Sequence, residues 1–472
     1  MPIERPPACS PCVTMLAPLA LLLGGCGGGG GGGNNNRPPV TPDPLVAEAA
    51  FVTTTDFITG SYSTVNLRGA TAESDLPSEP GIAESDNGAV YFNNRVYVLN
   101  RFGFDNISVL ETDDLSTAVR QFSTGNGSNP QDMAFVSDSR AYVSLLGSNE
   151  LLRVNPTAGV GNEIRSRIDL SGYLDPNDAD GLVEAGPAAL VGRYLFVALQ
   201  RLSDFVAVTD SLLAVIDTTD DSLVDVDPGT AGVQGIVLAG RNPVALEYVP
   251  DLGRLLVSAT GNFGVEDGGV EAVDPFRFAS EGYLQTEAGL GGDVGPIASV
   301  AGRKVYVVAG GFEENRLLVF DLTLDPATGR YAGGAPRDLG LSLPFVGSLA
   351  VDAGRQLLVP DRTLRAPGLR LIDTFGDAVG APIDVGLPPN DVVVTPPTPP
   401  TAFVSTTDFI TGSYSTVNLR GATAESDLPS EPGIAESDNG AVYFNNRVYV
   451  LNRFGFDNIS VLETDDLSTA VR

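Results

Sequence analysis

The chain has 472 residues, 43% of them apolar and 18% charged, with 55 glycines and 34 prolines; that is enough apolar surface for a large core and argues against wholesale disorder. Fifty-nine acids against 28 bases leave a net charge of −31, which repels phosphate backbones and anionic headgroups and argues against nucleic-acid binding. Histidine is absent, which removes Ser-His-Asp and Cys-His nucleophile pairs, the commonest general base and most zinc sites.

At the N-terminus, Val13–Leu23 is apolar but too short to span a bilayer, as expected of a secretory signal core. It runs into Leu23-Gly24-Gly25-Cys26, then a glycine tract and Asn34–Asn36. This segment resembles a bacterial lipoprotein signal, although Glu4 offsets Arg5 in the region that is usually positive. The resemblance implies that residues 1–25 are removed, that Cys26 carries the lipid, and that residues 26–49 form a flexible tether. An ordinary cleaved signal is the plainer alternative. Cys9 and Cys12 precede the cut, so the mature chain would hold one lipidated cysteine and no disulfide. The expected location is the bacterial outer membrane, facing the periplasm or the cell surface, with membrane contact through the lipid alone.

Beyond the tether, short apolar runs recur in a fixed order. A small-residue turn, often with proline, leads into a first strand; a second strand of "xYVx" type follows; a polar loop leads to a third strand ending near Asp or Asn. Asn129-Pro130-Gln131-Asp132 precedes Ala141-Tyr142-Val143, and Gly295-Pro296-Ile297 precedes Val305-Tyr306-Val307. Units start near 88, 130, 187, 243, 296, 347 and 389. Alternating apolar runs bounded by turn residues predict antiparallel strands throughout and no helical period. Four-stranded units of about 40–50 residues arranged radially are a β-propeller. The Asn-Pro openings, the "YV" second strands and the third strands Val215-Ile216-Asp217 and Val319-Phe320-Asp321 resemble the YVTN family of bacterial surface propellers. The expected fold is therefore all-β: a seven-bladed propeller of four-stranded antiparallel blades over residues 50–402. A β-sandwich array is the competing architecture.

Phe51–Arg120 recurs as Phe403–Arg472, offset by 352 residues, with Ser405 for Thr53 as the one difference. Since seven unit starts fill that offset, the repeat is one lap of the ring. The last unit, from Pro389, runs into a proline-rich stretch after Val394 and lacks its remaining strands. Two near-identical strand pairs, one from each copy, compete to complete it. Residues 403–472 are expected to supply the competing strands and a surplus partial blade; an eight-bladed ring using both copies is the alternative.

For chemistry, Asp175, Asn177, Asp178, Asp180 and Glu184 place several side-chain oxygens and a glycine in one loop, a composition that suits Ca²⁺, which takes 6–8 oxygen ligands. A solvated acidic loop is the alternative. Asp217, Asp220, Asp221, Asp225 and Asp227 are expected at the surface. No catalytic residue is assigned. The function expected is a lipid-anchored envelope module that binds a protein, glycan or small ligand, with Arg201–Ser211 and Gly261–Gly269 as the contact loops. The rival is a Ca²⁺-dependent hydrolase or lyase using channel carboxylates.

Overall fold

The computed structural model describes residues 49–76, 81–112, 114–176, 178–311 and 314–395, and six strands with a few linking residues within 401–463. Residues 1–48, which include the expected signal, Cys26 and nearly all of the expected tether, lie outside the described residues. Strands dominate. The helical turns are Ser171–Tyr173 and Glu287–Leu290, and among the described residues no helix is long and apolar enough to cross a membrane.

Seven antiparallel sheets of four or five strands follow one another along the described residues of 49–395, besides a two-stranded hairpin of Leu202–Ser203 and Val206–Ala207. Sheet 1 is built from Asn87–Phe92, Arg95–Asn100, Asn106–Glu111 and Arg120–Ser123. Sheets 2 to 6 begin at Pro130–Ser137, Ala185–Val191, Pro243–Val249, Asp293–Val300 and Ala350–Val351 and repeat the same meander. The first strands start close to the positions that the turn residues indicated, because Pro, Gly and Asn interrupt the ladder wherever they fall. Each first strand is the terminal strand of its own sheet and touches the first strands of the sheets before and after it, in a closed cycle. The chain is a β-propeller.

The core is divided among the gaps between sheets. One apolar cluster joins Tyr97 and Leu99 of sheet 1 to Phe135 and Val143 of sheet 2; another joins Tyr142 and Leu151 of sheet 2 to Leu195 and Val197 of sheet 3. Similar clusters fill the remaining gaps, including those flanking the closing sheet.

The closing sheet, sheet 7, mixes the two ends of the ring. Pro389–Thr395 pairs with Ala49–Thr55, with Phe51 opposite Val393 and Val52 opposite Val392, and Gly60–Asn66 and Thr71–Glu73 complete the sheet. The first of the two competing copies therefore fills the position. The second makes sheets of its own, Thr401–Thr407 with Gly412–Asn418 and Thr423–Leu428, and Asn439–Phe444 with Arg447–Asn452 and Asn458–Glu463. Sheet 7 is gripped from both sides. Ala50, Val52 and Val65 pack with Leu358, Leu369 and Val385 of the preceding side, and Phe51 and Tyr62 pack with Val96 and Leu110 of sheet 1 and with Ala83 just before it.

Side chains stitch neighbouring sheets at two levels. Near the axis, acidic or hydroxyl groups on or just before one first strand accept backbone N–H groups from the next. Asp132 Oδ2 accepts from Ala188 at 2.9 Å, Glu247 Oε2 from Ser299 at 2.9 Å, Ser348 Oγ from Val392 at 3.0 Å and Asp391 Oδ2 from Ala89 at 2.8 Å. Residues just past the second strands donate to the next first strand's carbonyls: Arg101 to Gln131, Gln200 to Pro243 and Arg362 to Pro389. Gly88 sits where Arg101 crosses; a Cβ there would lie 2.4 Å from Arg101 Nη2. At the periphery, the tyrosine of the "YV" strand reaches a turn aspartate of the following sheet. Tyr142 donates to Asp221, and Tyr306 donates to Asp377.

Asp221 corrects the sequence reading that placed it on the surface. Its side chain is 17% exposed and binds Arg140 and Arg153, both at 2.7 Å. Although burial raises its pKa, the Tyr142 hydroxyl and the two guanidinium groups hold it below the ordinary carboxylate value. Three groups from sheet 2 thus converge on one turn of sheet 3.

Two outcomes follow from the stitching and the closure. A chain ending at residue 400 should melt within about 2 °C of the full chain, because the ring is closed by Ala49–Thr55; a large drop in thermal denaturation would instead show that the second copy supports the ring. Asp132 is 2% exposed, and burial raises its pKa to about 7, with the Ala188 and Met133 N–H groups opposing the shift. The folded state therefore holds a proton there that the unfolded chain releases near pH 4. The resulting stability is full below that value and is lost as pH rises through about 7. In denaturant titrations Asp132→Asn should remove up to about 1.4 kcal/mol per pH unit of this decline. Any pH-independent cost of the amide leaves the slope untouched, and an unchanged slope would refute the assignment.

Candidate functional site

The loops that follow the second strands rise at one end of the ring. Those of sheets 1 to 3, together with the approaches to the first strands of sheets 2 and 3, enclose a cleft of about 550 Å³ lined by Phe102, Leu146, Leu182, Leu202 and Phe205, with Asp105, Asp180, Glu184 and Asp204 among its polar residues. Its acidic wall is the segment leading into Ala185–Val191. There the carboxylates of Asp178, Asp180 and Glu184 offer oxygens within 4.8 Å of one another.

Asn149, immediately before the third strand of sheet 2, positions this wall by donating to Gly181 O at 2.8 Å and accepting from Val183 N at 2.9 Å. Ala179 N–H donates to Ser203 Oγ at 3.2 Å, and Glu184 Oε2 accepts from Leu202 N–H at 3.0 Å. Glu184 has φ of +45°, in the left-handed region that side chains rarely adopt. The strained backbone turns the chain from the acidic loop into the first strand, and the carboxylate bonds across to the next loop.

The electrostatics of the group are unbalanced. Burial pushes Glu184 up to about 8; the Leu202 N–H opposes the shift, and Asp180 and Asp178 add to it. Asp178 is also raised, first by burial and then by Asp180. Asp178 is 9% exposed, and its Oδ2 is buried with no hydrogen-bond partner. A buried carboxylate oxygen facing two further carboxylates calls for a proton or a cation as its counter-charge. The nearby cation is Arg201, whose own pKa is lowered by burial; it donates to Asp210 O at 2.6 Å and to Asp175 Oδ2 at 3.2 Å.

The sequence-derived set is thus divided. Asp178, Asp180 and Glu184 come together. Asp175 does not join them, because its Oδ2 is bound by Arg201 and by the Thr209 hydroxyl at 2.7 Å. Asn177 lies outside the described residues. The three carboxylates fit a hard divalent cation: they can supply three to six oxygens, leaving carbonyl or water oxygens to complete the shell. Sequence reasoning placed Leu202 and Phe205 in the contact loop Arg201–Ser211 but missed Asn149, the pairing of Arg201 with Asp175 and the rest of the apolar wall. Arg201 carried a usable signal: a polar residue followed by arginine closes the second strand in Asn100-Arg101, Gln200-Arg201 and Asp361-Arg362. Asn149 carried none, since its partners lie more than thirty residues away.

No protein-family model matches the chain, and no curated protein matches it. Solved structures do resemble it. A putative 6-phosphogluconolactonase from Bacteroides fragilis is 13% identical, with a TM-score of 0.51 over 76% of this chain and 100% of that one. A protein from Lactobacillus plantarum is 15% identical, with a TM-score of 0.52 over 74% and 99%. A functionally unknown protein from Desulfotomaculum acetoxidans is 15% identical, with a TM-score of 0.51 over the same shares. At such identities the likeness establishes the fold alone.

Proposed function

We propose that this chain is an exported, lipid-anchored binding module of a bacterial envelope. Its ring reads as seven YVTN-type blades, and its loop end takes a protein, glycan or small ligand beside a Ca²⁺ ion held by Asp178, Asp180 and Glu184. One observation carries the cation: the buried, unpartnered Asp178 Oδ2 within a group of three carboxylates at the rim of a cleft. The closed succession of seven first strands supports the blade reading. Ala49–Thr55 runs toward the loop end, so a tether ending at Ala49 joins the ring at the opposite end. The cleft would then point away from the anchor.

A Ca²⁺-dependent hydrolase or lyase is the second reading, favoured by the size of the cleft and its contact with the acidic group. Its reacting carboxylates would belong to the cleft, since Asp132, Glu247 and Asp391 accept backbone N–H groups between sheets. Cation-dependent turnover of a small ester that is lost in Asp178→Asn would decide for it.

Calorimetry should give a one-site Ca²⁺ isotherm, and Ca²⁺ at a hundred times Kd should stabilise the fold by about 2.7 kcal/mol. Asp178→Asn and Glu184→Gln should each lose both signals; equal heats in wild type and variants would refute the site. Cys26→Ser should move the protein from the membrane to the soluble fraction on cell fractionation, and unchanged sedimentation would refute the anchor.

A further inference from the structure

Large apolar side chains stand exposed on the same loop end. Phe102 is 56% exposed, Phe205 40%, Val206 51%, Val208 42%, Phe263 42% and Val265 52%. They form a connected surface. Phe102 and Phe205 both line the cleft, and Ala207 N–H donates to Asn262 Oδ1 at 2.8 Å, which ties the hairpin carrying Val206 to the loop carrying Phe263. That loop is itself pinned. Asn262 N–H and Nδ2 donate to Asp267, and Gly264 N–H donates to the Asp293 carboxylate. Other large apolar side chains are exposed elsewhere on the ring, Phe276 and Phe375 among them, but these six are gathered on braced neighbouring loops, and a patch of this kind marks a contact site.

The charge around the patch narrows its occupant. Asp180, Asp204 and Glu266 are exposed on the same loops, and Asp210 is 59% exposed. The cations of these loops are engaged: Arg101 is 3% exposed and Arg201 9%, and the neighbouring Arg241 pairs with Asp210 at 3.0 Å. An apolar floor with an acidic rim fits a partner with apolar side chains and positive charge. Anionic lipid is repelled by the same rim, and so is a second copy of a chain whose net charge is −31.

We infer that this surface docks a basic amphipathic segment of another protein, with Phe102, Phe205, Val206, Phe263 and Val265 covering its apolar side and Asp204 and Glu266 facing its Lys and Arg residues. The inference rests on the reading above that the loop end is the binding end, and it does not require the cation.

The test uses the full chain and three synthetic amphipathic peptides of one apolar pattern, carrying Lys, Gln or Glu at the polar positions. Fluorescence anisotropy is measured in Ca²⁺ and in chelator. The Lys peptide should bind at least about tenfold tighter than the Gln peptide, the advantage should shrink with salt, and the Glu peptide should not bind. Phe205→Ser combined with Phe263→Ser should weaken the Lys peptide by about tenfold or more, with an unchanged melting curve showing that the ring is intact. Asp204→Asn combined with Glu266→Gln should weaken the Lys peptide and leave the Gln peptide unaffected. Equal binding of the Lys and Gln peptides, no binding of any peptide, or full binding by the serine variant would overturn the proposal. So would vesicle binding or self-association that the serine variant abolishes, since either identifies a different occupant. Loss of Ca²⁺ binding with retained peptide binding refutes the cation site alone.

Discussion

The innermost strand of every sheet has a ladder partner on one side only, and the ring exists because its other side is satisfied by the neighbouring sheet. Backbone groups buried without a partner would cost more than the packing around them returns. Here carboxylates, hydroxyls, guanidinium groups and one amide fill that role, each projecting from one sheet to the backbone of the next. The apolar clusters between sheets then add area-dependent attraction to contacts whose geometry is already set by hydrogen bonds. Several anchoring groups are buried acids, so some of the chain's many carboxylates serve structure rather than solubility.

The same stitching shapes the functional end. Residues that staple one sheet to the next, such as Arg101 and Gln200, sit directly before the loops that build the cleft and the apolar surface. These loops are therefore fixed at their roots. A ligand meeting them pays little ordering entropy, and Asn149 holds the acidic wall through its bonds to Gly181 and Val183. Glu184 joins the two roles: it ends the acidic wall, bonds to the neighbouring loop and leads straight into a first strand.

Much of the architecture was legible in the sequence because its cues are local. Proline, glycine and asparagine punctuate the strands, and alternating Val, Leu and Tyr mark which side is buried, so the starts near 130, 243 and 389 coincide with observed first strands. What was not legible depends on contacts between sheets. Asp221 and Asp220 look alike in sequence, yet Asp221 holds three groups of sheet 2 while Asp220 caps its own turn. Asp175 matched the composition of a cation loop and is held by Arg201 instead. The inter-sheet acids did leave a trace: Asp132 and Asp391 each stand two residues past the proline that opens their strand.

The closing sheet has a kinetic consequence. Asp391 and Thr53, which bond across it, are separated by 338 residues, whereas the second copy's strand begins at Thr401, just past the end of Pro389–Thr395. Loop closure alone favours the nearby strand by roughly 3–4 kcal/mol, yet the distant one is paired, because its sheet is packed between two neighbours. During vectorial synthesis the distant strand is made first, so Pro389–Thr395 meets it before the nearby copy exists. In refolding from denaturant both are present at once, and the shorter loop forms first. Synthesis order and loop length thus favour different strands, and the closed ring carries the one that synthesis supplies first.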